Sequence, residues 1–470
     1  MGRGNSEGRY LDDFDLVVIG SGTGGYTAAI RATQLGMTAA LVERGKVGGT
    51  CLHRGCIPTK AWLYSAETLR GVRHASTFGI NTGEATVDYA ALKKRQTFVV
   101  DSLHKGLLGT IGKHKIEIID GQGKIASPTE VVVGERKLNA KHIVIATGSQ
   151  PKQIPGLETD GERILNSDHL LALEEAPKSI VIIGAGAVGC EFASFYADIG
   201  TEVTLIEMLP TCVPLEDADA GKIVGKALAE RGVNVMTSAK VLADKTKTYD
   251  GVVELTVEHN GETKQVKGQK VLVAAGREAV TSDLGIENTK VQVERGWVMV
   301  DGTFRTEEPN IYAVGDAIGG LLLAHVAGAE GHIAAEAIAG KDPQPLDYNR
   351  VPRVTYSHPQ VASVGMTLEQ AKAAGHNAKA QRFSLKTNAM ALIQDETDGF
   401  AKVVYDQDSG DLLGVHMVGA HVSDLVSEAA LARFLDASAW ELGTSIHPHP
   451  SLSEALGDAA QLSAGISIYW

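Results

Sequence analysis

With 470 residues, 44 % of them hydrophobic and 21 % charged, the chain has ordinary globular composition and a length that suits two to four domains rather than one. Its formal charge of −13, from 44 basic against 57 acidic side chains, argues against nucleic acid or an anionic membrane as the main partner. Four cysteines (Cys51, Cys56, Cys190 and Cys212) are too few for a secreted disulfide scaffold, and no apolar run is long enough to cross a bilayer.

The start, Met1 to Asp13, is polar and lacks the apolar core of a signal peptide. Met-Gly-Arg-Gly-Asn-Ser formally matches the loose myristoylation pattern but reads better as a disordered leader. A cytoplasmic location is the expectation.

The first ordered element is a short apolar run, Asp15-Leu-Val-Val-Ile, as in a buried parallel strand. Gly20, Gly22 and Gly25 follow as Gly-x-Gly-x-x-Gly, then a helix of small residues, then a second apolar run closing at Glu43. The first Gly permits a tight turn, the second lets backbone approach a pyrophosphate, and the third lets the helix pack on the strand. The pyrophosphate then sits at the helix N-terminus, and the acid ending the second strand meets ribose hydroxyls. The same unit recurs at Ser179-Ile-Val-Ile-Ile, with Gly184, Gly186 and Gly189 and a closing acid, Glu207. One such motif is weak; two, each between strand and helix, predict two dinucleotide sites. No Arg or Lys follows Glu207 in Met208-Leu-Pro-Thr, so the second site should prefer NAD to NADP, because a 2′-phosphate would be repelled.

Between the two units lies Gly48-Gly-Thr-Cys-Leu-His-Arg-Gly-Cys-Ile-Pro-Thr-Lys, with Cys51 and Cys56 five positions apart. A zinc site would need two further ligands that no nearby Cys/His pair supplies, so no metal is expected. A structural staple does not suit a cytosolic chain. A bridge closing so short a loop would cost little entropy and be strained, hence easily reduced. Placed after a dinucleotide turn and before a helix, the pair reads as redox. Cys190 and Cys212 read as ordinary buried or idle thiols. A helix-rich stretch from Pro58 to Lys113 and a strand-rich stretch from Ile116 to Val133, continuing at His142, come next. Gln150-Pro-Lys-Gln-Ile-Pro-Gly reads as a linker. A second break falls near Asp342-Pro-Gln-Pro, before an α+β tail of strand-like runs and Ala-rich helices. Near the end, Ile446-His-Pro-His-Pro-Ser-Leu-Ser-Glu454 places two histidines between prolines. By itself this reads as a rigid loop. Beside a redox pair it supplies a base, since the thiolate is the attacking species and His suits that exchange near neutral pH.

The cysteine motif is similar to the Gly-Gly-Thr-Cys-x-x-x-Gly-Cys-Ile-Pro-[Ser/Thr]-Lys signature of the pyridine nucleotide disulfide oxidoreductases, and the likeness runs from about Phe14 to Leu462. The resemblance implies a Cys51–Cys56 disulfide, with Cys56 against the flavin of FAD and Cys51 exchanging with substrate sulfur. Lys60 would lie near the reactive flavin nitrogen, partnered by Glu191. Further flavin contacts would come from Thr50, Gly123, Thr147-Gly148-Ser149, Asp316 in Ile311-Tyr-Ala-Val-Gly-Asp, and the helix start Leu322-Leu323-Ala324-His325. Val241 and Gly276 match contacts on the NAD side. His449 matches the family base and Glu454 its orienting acid; His447 is the alternative base but lacks the family spacing. In the family that His comes from the partner subunit, which makes the protein a homodimer.

The implied architecture is α/β: two Rossmann-like dinucleotide-binding domains plus a C-terminal α+β dimerisation domain. Residues 1–150 form the first part of the FAD-binding domain, 151–280 the NAD-binding domain, 281–348 the central second part of the FAD domain, and 349–470 the interface domain. Among family members the chain most resembles those that oxidise the lipoyl dithiol carried by the acyltransferase of 2-oxo acid dehydrogenase complexes. Glutathione-type members would want Arg where Glu207 stands. Another NAD(P)H-dependent disulfide or quinone reductase is the alternative, and a non-catalytic scaffold is opposed by the intact Cys51, Cys56, His449 and Glu454. His53-Arg54 replaces the more usual Asn-Val, and Pro448 the common Ala.

Overall fold

The computed structural model describes residues 11–249 and 251–468, so the myristoylation-like start lies outside the described residues. The described chain forms two compact units. One runs to Ala61 and takes in Lys93–Lys152 and Gly276–Leu346; the other holds Trp62–Leu92, Gln153–Ala275 and the chain from Asp347 on.

The first unit is built on a seven-stranded sheet. The strands Glu117–Asp120, Ala39–Glu43, Leu11–Ile19 and Arg136–Ile145 lie side by side in parallel, and Ile311–Ala313 joins the last of these in the same sense. Their residues Leu16, Val17, Val18, Ala40, Leu41, Ile143, Val144 and Ile145 are all fully buried, which is why these runs are continuously apolar rather than alternating. Helices Thr23–Gln34 and Ala324–Ile338 cover the sheet, joined by an ion pair between Arg31 and Glu336.

The second unit contains the repeat of this arrangement. Its parallel sheet runs Asn234–Met236, Glu202–Ile206, Ser179–Ile183, Lys270–Val273, Ile164–Leu165. Helix Ala187–Asp198 packs Cys190, Phe192, Phe195 and Tyr196 into a core where Trp62 stacks on Phe195 with ring centroids 4.8 Å apart. A three-stranded antiparallel meander follows, Ala239–Tyr249, Val252–His259 and Glu262–Gly268. The chain from Asp347 on forms a five-stranded antiparallel sheet ordered Arg353–Thr355, Gln360–Gly365, Leu412–Gly419, Phe400–Asp406, Ala378–Ser384, with helices Val422–Phe434, Ala439–Thr444 and Glu454–Ala464 packed on it. The two Rossmann-like layers and the α+β tail are the expected fold class. Among the described residues no helix is long and apolar enough to cross a membrane.

One expectation is corrected. The stretch read as a linker from Gln150 begins inside a short strand, Ser149–Pro151, paired with Arg277–Ala279. Pro151 is tolerated there because it ends the strand, where a missing N–H costs no ladder bond.

Candidate active site

Each Gly-rich turn is shaped by a close approach. A Cβ on Gly25 would overlap the carbonyl oxygen of Gly20, and one on Gly189 that of Gly184, so neither helix could start where it does with any other residue. Gly22 and Gly186, by contrast, face open space, and no described side chain caps either helix. The first-turn N–H groups are therefore left for an anion, the condition a dinucleotide pyrophosphate requires.

The acids closing the two units are fixed by backbone. Glu43 Oε2 accepts from Ser21 N–H at 3.0 Å and Ser21 Oγ–H at 2.6 Å, and its Oε1 from Gly45 N–H at 2.8 Å. Glu207 Oε2 accepts from Ala185 N–H at 2.7 Å and its Oε1 from Leu209 N–H at 2.8 Å. Gly121 N–H bonds the Glu43 carbonyl at 2.9 Å, which brings the strand carrying Gly123 beside the first acid. These carboxylates and turns fit the adenosine ends of two dinucleotides.

Cys51 and Cys56 are joined by a disulfide, with Cα atoms 4.6 Å apart. Cys51 and Thr50 lie in the short helix Gly49–Arg54; Cys56 opens helix Cys56–His74, and Lys60 follows one turn later on the same face. The loop is seated against the first Gly-rich turn. Gly48 N–H bonds Ser21 O at 3.0 Å, and a Cβ on Gly49 would lie 2.6 Å from Gly22 Cα. Only the Gly-Gly pair, with φ of +114° and +68°, allows that approach. His53 turns to the Val47 carbonyl at 2.8 Å and the edge of His104, while Arg54 is exposed. Burial holds the His53 imidazole below its usual pKa, so it adds no charge beside the bridge at neutral pH.

Ser149 Oγ donates to Asp316 Oδ2 at 2.5 Å and accepts from Arg277 Nε at 2.6 Å, and Arg277 Nη2 reaches the Ser149 carbonyl at 2.8 Å. Thr147 Oγ1 donates to Val280 O, and Gly148 O accepts from Val280 N–H at 3.0 Å. Buried Glu330 holds the turn before Asp316 through Gly315 N–H at 2.6 Å. Leu322 sits in a tight turn closed by Leu323 N–H on Leu321 O at 2.8 Å, and Leu323, in extended backbone, caps the helix that begins at Ala324 and His325. Ser21, Arg277 and Glu330 carry no motif of their own in the sequence. The first and second adjoin singled-out glycines, and adjacency was the signal; Glu330 had none.

In the second unit, Glu191 is 4 % exposed and accepts from Tyr356 N–H at 2.9 Å. Val241 sits half-buried in the meander, opposite Val257. Gly276, at φ +105°, belongs to the first unit and faces open space. Cys190 and Cys212 are both buried, and the Cys190 thiol donates to Ala185 O. Near the C-terminus, His449 Nδ1 lies 2.8 Å from Glu454 Oε1, leaving Nε2 outward on a side chain 74 % exposed. Glu454 Oε2 accepts from Ser451 N–H at 2.7 Å, so the acid is anchored to the loop that carries the imidazole.

A flavin-type turn seated on a cysteine bridge, a second dinucleotide turn and a histidine–carboxylate pair together describe a thiol-handling flavoprotein. The chain belongs to the pyridine nucleotide-disulphide oxidoreductase family: that family's model matches residues 14–331, and its dimerisation domain matches 351–460. It is an oxidoreductase that works with FAD and NAD. The dihydrolipoyl dehydrogenase of Bacillus subtilis is 46 % identical over 97 % of this chain and 99 % of that protein, and that of Zymomonas mobilis 40 % identical over 98 % and 100 %. Among solved structures, LpdA of Mycobacterium tuberculosis aligns with a TM-score of 0.87 at 26 % identity, covering 96 % of this chain and 99 % of its own. The HOCl-induced flavoprotein disulfide reductase RclA of Escherichia coli aligns at 0.84 with 27 % identity, over 96 % and 100 %.

Proposed function

We propose that this enzyme oxidises protein-borne dihydrolipoamide to lipoamide and reduces NAD, the dihydrolipoyl dehydrogenase reaction. The observation that carries it is the Cys51–Cys56 bridge, seated on the first Gly-rich turn and opening a helix. Cys56 at that N-terminus meets unpaired N–H groups and the positive end of the dipole, which favour its thiolate as leaving group. His449 takes the proton from one substrate thiol. The thiolate attacks Cys51 Sγ, the Cys51–Cys56 bond breaks, and Cys56 departs as thiolate. The second substrate thiol passes its proton to Cys51, and its sulfur attacks the substrate sulfur of the mixed disulfide, closing the lipoyl disulfide as the bond to Cys51 breaks. Bound FAD would supply the acceptor for the electron pair of the reduced cysteines, with NAD as its final destination. Glu454 fixes the His449 tautomer and stabilises its imidazolium. The first turn, Glu43, Thr50, Lys60, Gly123, Thr147 to Ser149, Asp316 and Leu322 to His325 hold FAD; the second turn, Glu191, Glu207, Val241 and Gly276 hold NAD.

On this reading residues 1–150 and 281–348 bind FAD, 151–280 bind NAD, and 349–470 join two copies. Leu431, Phe434, Leu435 and Trp440, all more than half exposed in the isolated chain, supply the apolar surface such a dimer covers. His449 then serves the partner's disulfide. The lipoyl domain of a 2-oxo acid dehydrogenase acyltransferase is the partner in turnover, in the cytoplasm.

Anaerobic titration of the flavoprotein with dihydrolipoamide, then NAD, tests the assignment. Loss of oxidised-flavin absorption followed by NADH formation is expected. A flavin that ignores dihydrolipoamide but is bleached by NADH moves the assignment to another disulfide or quinone substrate. Replacing Glu207 with Arg should also lower the preference for NAD over NADP by at least about tenfold, since one charge contact is worth on the order of 1.5–3 kcal/mol. Unchanged kcat/KM for both nucleotides would remove Glu207 from the ribose site.

A further inference from the structure

The two histidines flanking Pro448 live in different surroundings. The His449 side chain is open to solvent, whereas that of His447 is 8 % exposed. His447 Nε2 lies 2.8 Å from Glu428 Oε1, on helix Val422–Phe434. Its ring fills the space over Gly457 in helix Glu454–Ala464, where a Cβ would come within 2.6 Å of Nδ1. The imidazole thus ties the loop to one helix by a hydrogen bond and to a second by contact. That second helix begins with Glu454, the acid that orients His449.

We infer that His447 is a positioning residue: gripped by Glu428 and seated on Gly457, it holds the loop from His447 to Ser451 where His449 meets Glu454. This rests on His449 being the base of the proposed reaction. The groups facing His447 are Glu428 from one helix, Asp458 from the other, and the Ser445 backbone of its own loop. The Glu428 hydrogen bond, against burial, raises the imidazole's pKa above its usual value, so the charged form of the pair persists to higher pH than in a free imidazole. Asp458 is pushed up to about 6 by burial and by Glu454, although His447 opposes this. The His447–Glu428 grip is therefore complete below the ordinary imidazole range and weakens as pH rises through the raised pKa.

The test uses the FAD-loaded enzyme with Gly457→Ala, which displaces the ring, and Glu428→Gln, which neutralises its partner. Both should lower kcat for dihydrolipoamide oxidation by on the order of ten- to a hundredfold, the scale of a misplaced catalytic group. Both should shift the limb of the pH–rate profile that reports His449, and reduction of ferricyanide by NADH, which needs no base at the disulfide, should stay at its original rate. An unchanged kcat and pH profile in both variants overturns the inference; so does parallel loss of the ferricyanide reaction, which means a general structural role. His449→Gln is run alongside. If that variant oxidises dihydrolipoamide normally, the proposed function loses its base.

Discussion

Replacing Cys51 with Ser should abolish dihydrolipoamide oxidation while NADH still reduces an artificial acceptor through the flavin. The two halves of this result separate because the chemistry is divided between different parts of the chain. The substrate thiolate needs a sulfur to attack and a sulfur to leave; with a hydroxyl in place of the first thiol no bridge forms, and Cys56 remains a lone thiol at the start of its helix. A hydroxyl cannot accept the electron pair, so the loss should exceed on the order of 10³-fold, the scale seen when a covalent participant is removed. The nucleotide turns are untouched, since their shape depends on Gly25, Gly189 and the backbone-bound acids. Steady-state assays with both substrates, on protein whose flavin content is checked first, decide the matter. Normal lipoamide turnover by the variant would remove the bridge from the reaction altogether and leave a quinone-type reductase.

His449→Gln should lower kcat for dihydrolipoamide by about 10²–10⁴, the range for a lost general base, or about 3–5 kcal/mol of barrier. Glu454→Gln should cost less, because the imidazole remains. An amide at that position presents either oxygen or N–H to Nδ1, so the tautomer is no longer dictated. It also trades one of the two carboxylate contacts, to His449 Nδ1 and to Ser451 N–H. The diagnostic comparison is with His447→Gln. A base must meet a thiol arriving from outside; His449 is exposed and His447 is buried against Glu428. The expected order of damage is therefore His449 first and His447 well behind. A reversed order would make His447 the proton acceptor and retire the role given to His449.

Much of this site was legible before any coordinates, because its parts are local. A Gly-rich turn, an acid at a strand end and two cysteines in one short loop each carry their geometry within a few residues. What the sequence did not show is assembled across distance. Ser149, Arg277 and Asp316 are spread over 167 positions and meet only once the sheet has formed. The linker reading of Gln150 to Gly156 rested on local breaking residues, and pairing of Ser149–Pro151 with Arg277–Ala279 overrode it at one end. The partition of the helical stretch was equally hidden. Its 3.6-residue pattern says which face is apolar but not which core receives it, and Trp62–Leu92 belong to the second unit through Trp62, Leu63, Ala66 and Leu92. The difference between His447 and His449 was also invisible, since spacing gives the candidates and burial distinguishes them.

On the proposed reading, Glu207 joins two tasks in one carboxylate. The oxygens that would select the ribose also close the N–H groups of Ala185 and Leu209. Any side chain that welcomes a 2′-phosphate there orphans the buried Ala185 donor, at about 1–3 kcal/mol, and hands the Leu209 N–H to solvent. Coenzyme choice would therefore be coupled to thermal resilience. A lineage drifting from NAD toward NADP would pass through a weakened turn unless a second change first restored those two bonds, and mutational routes should be found in that order: repair first, selectivity second.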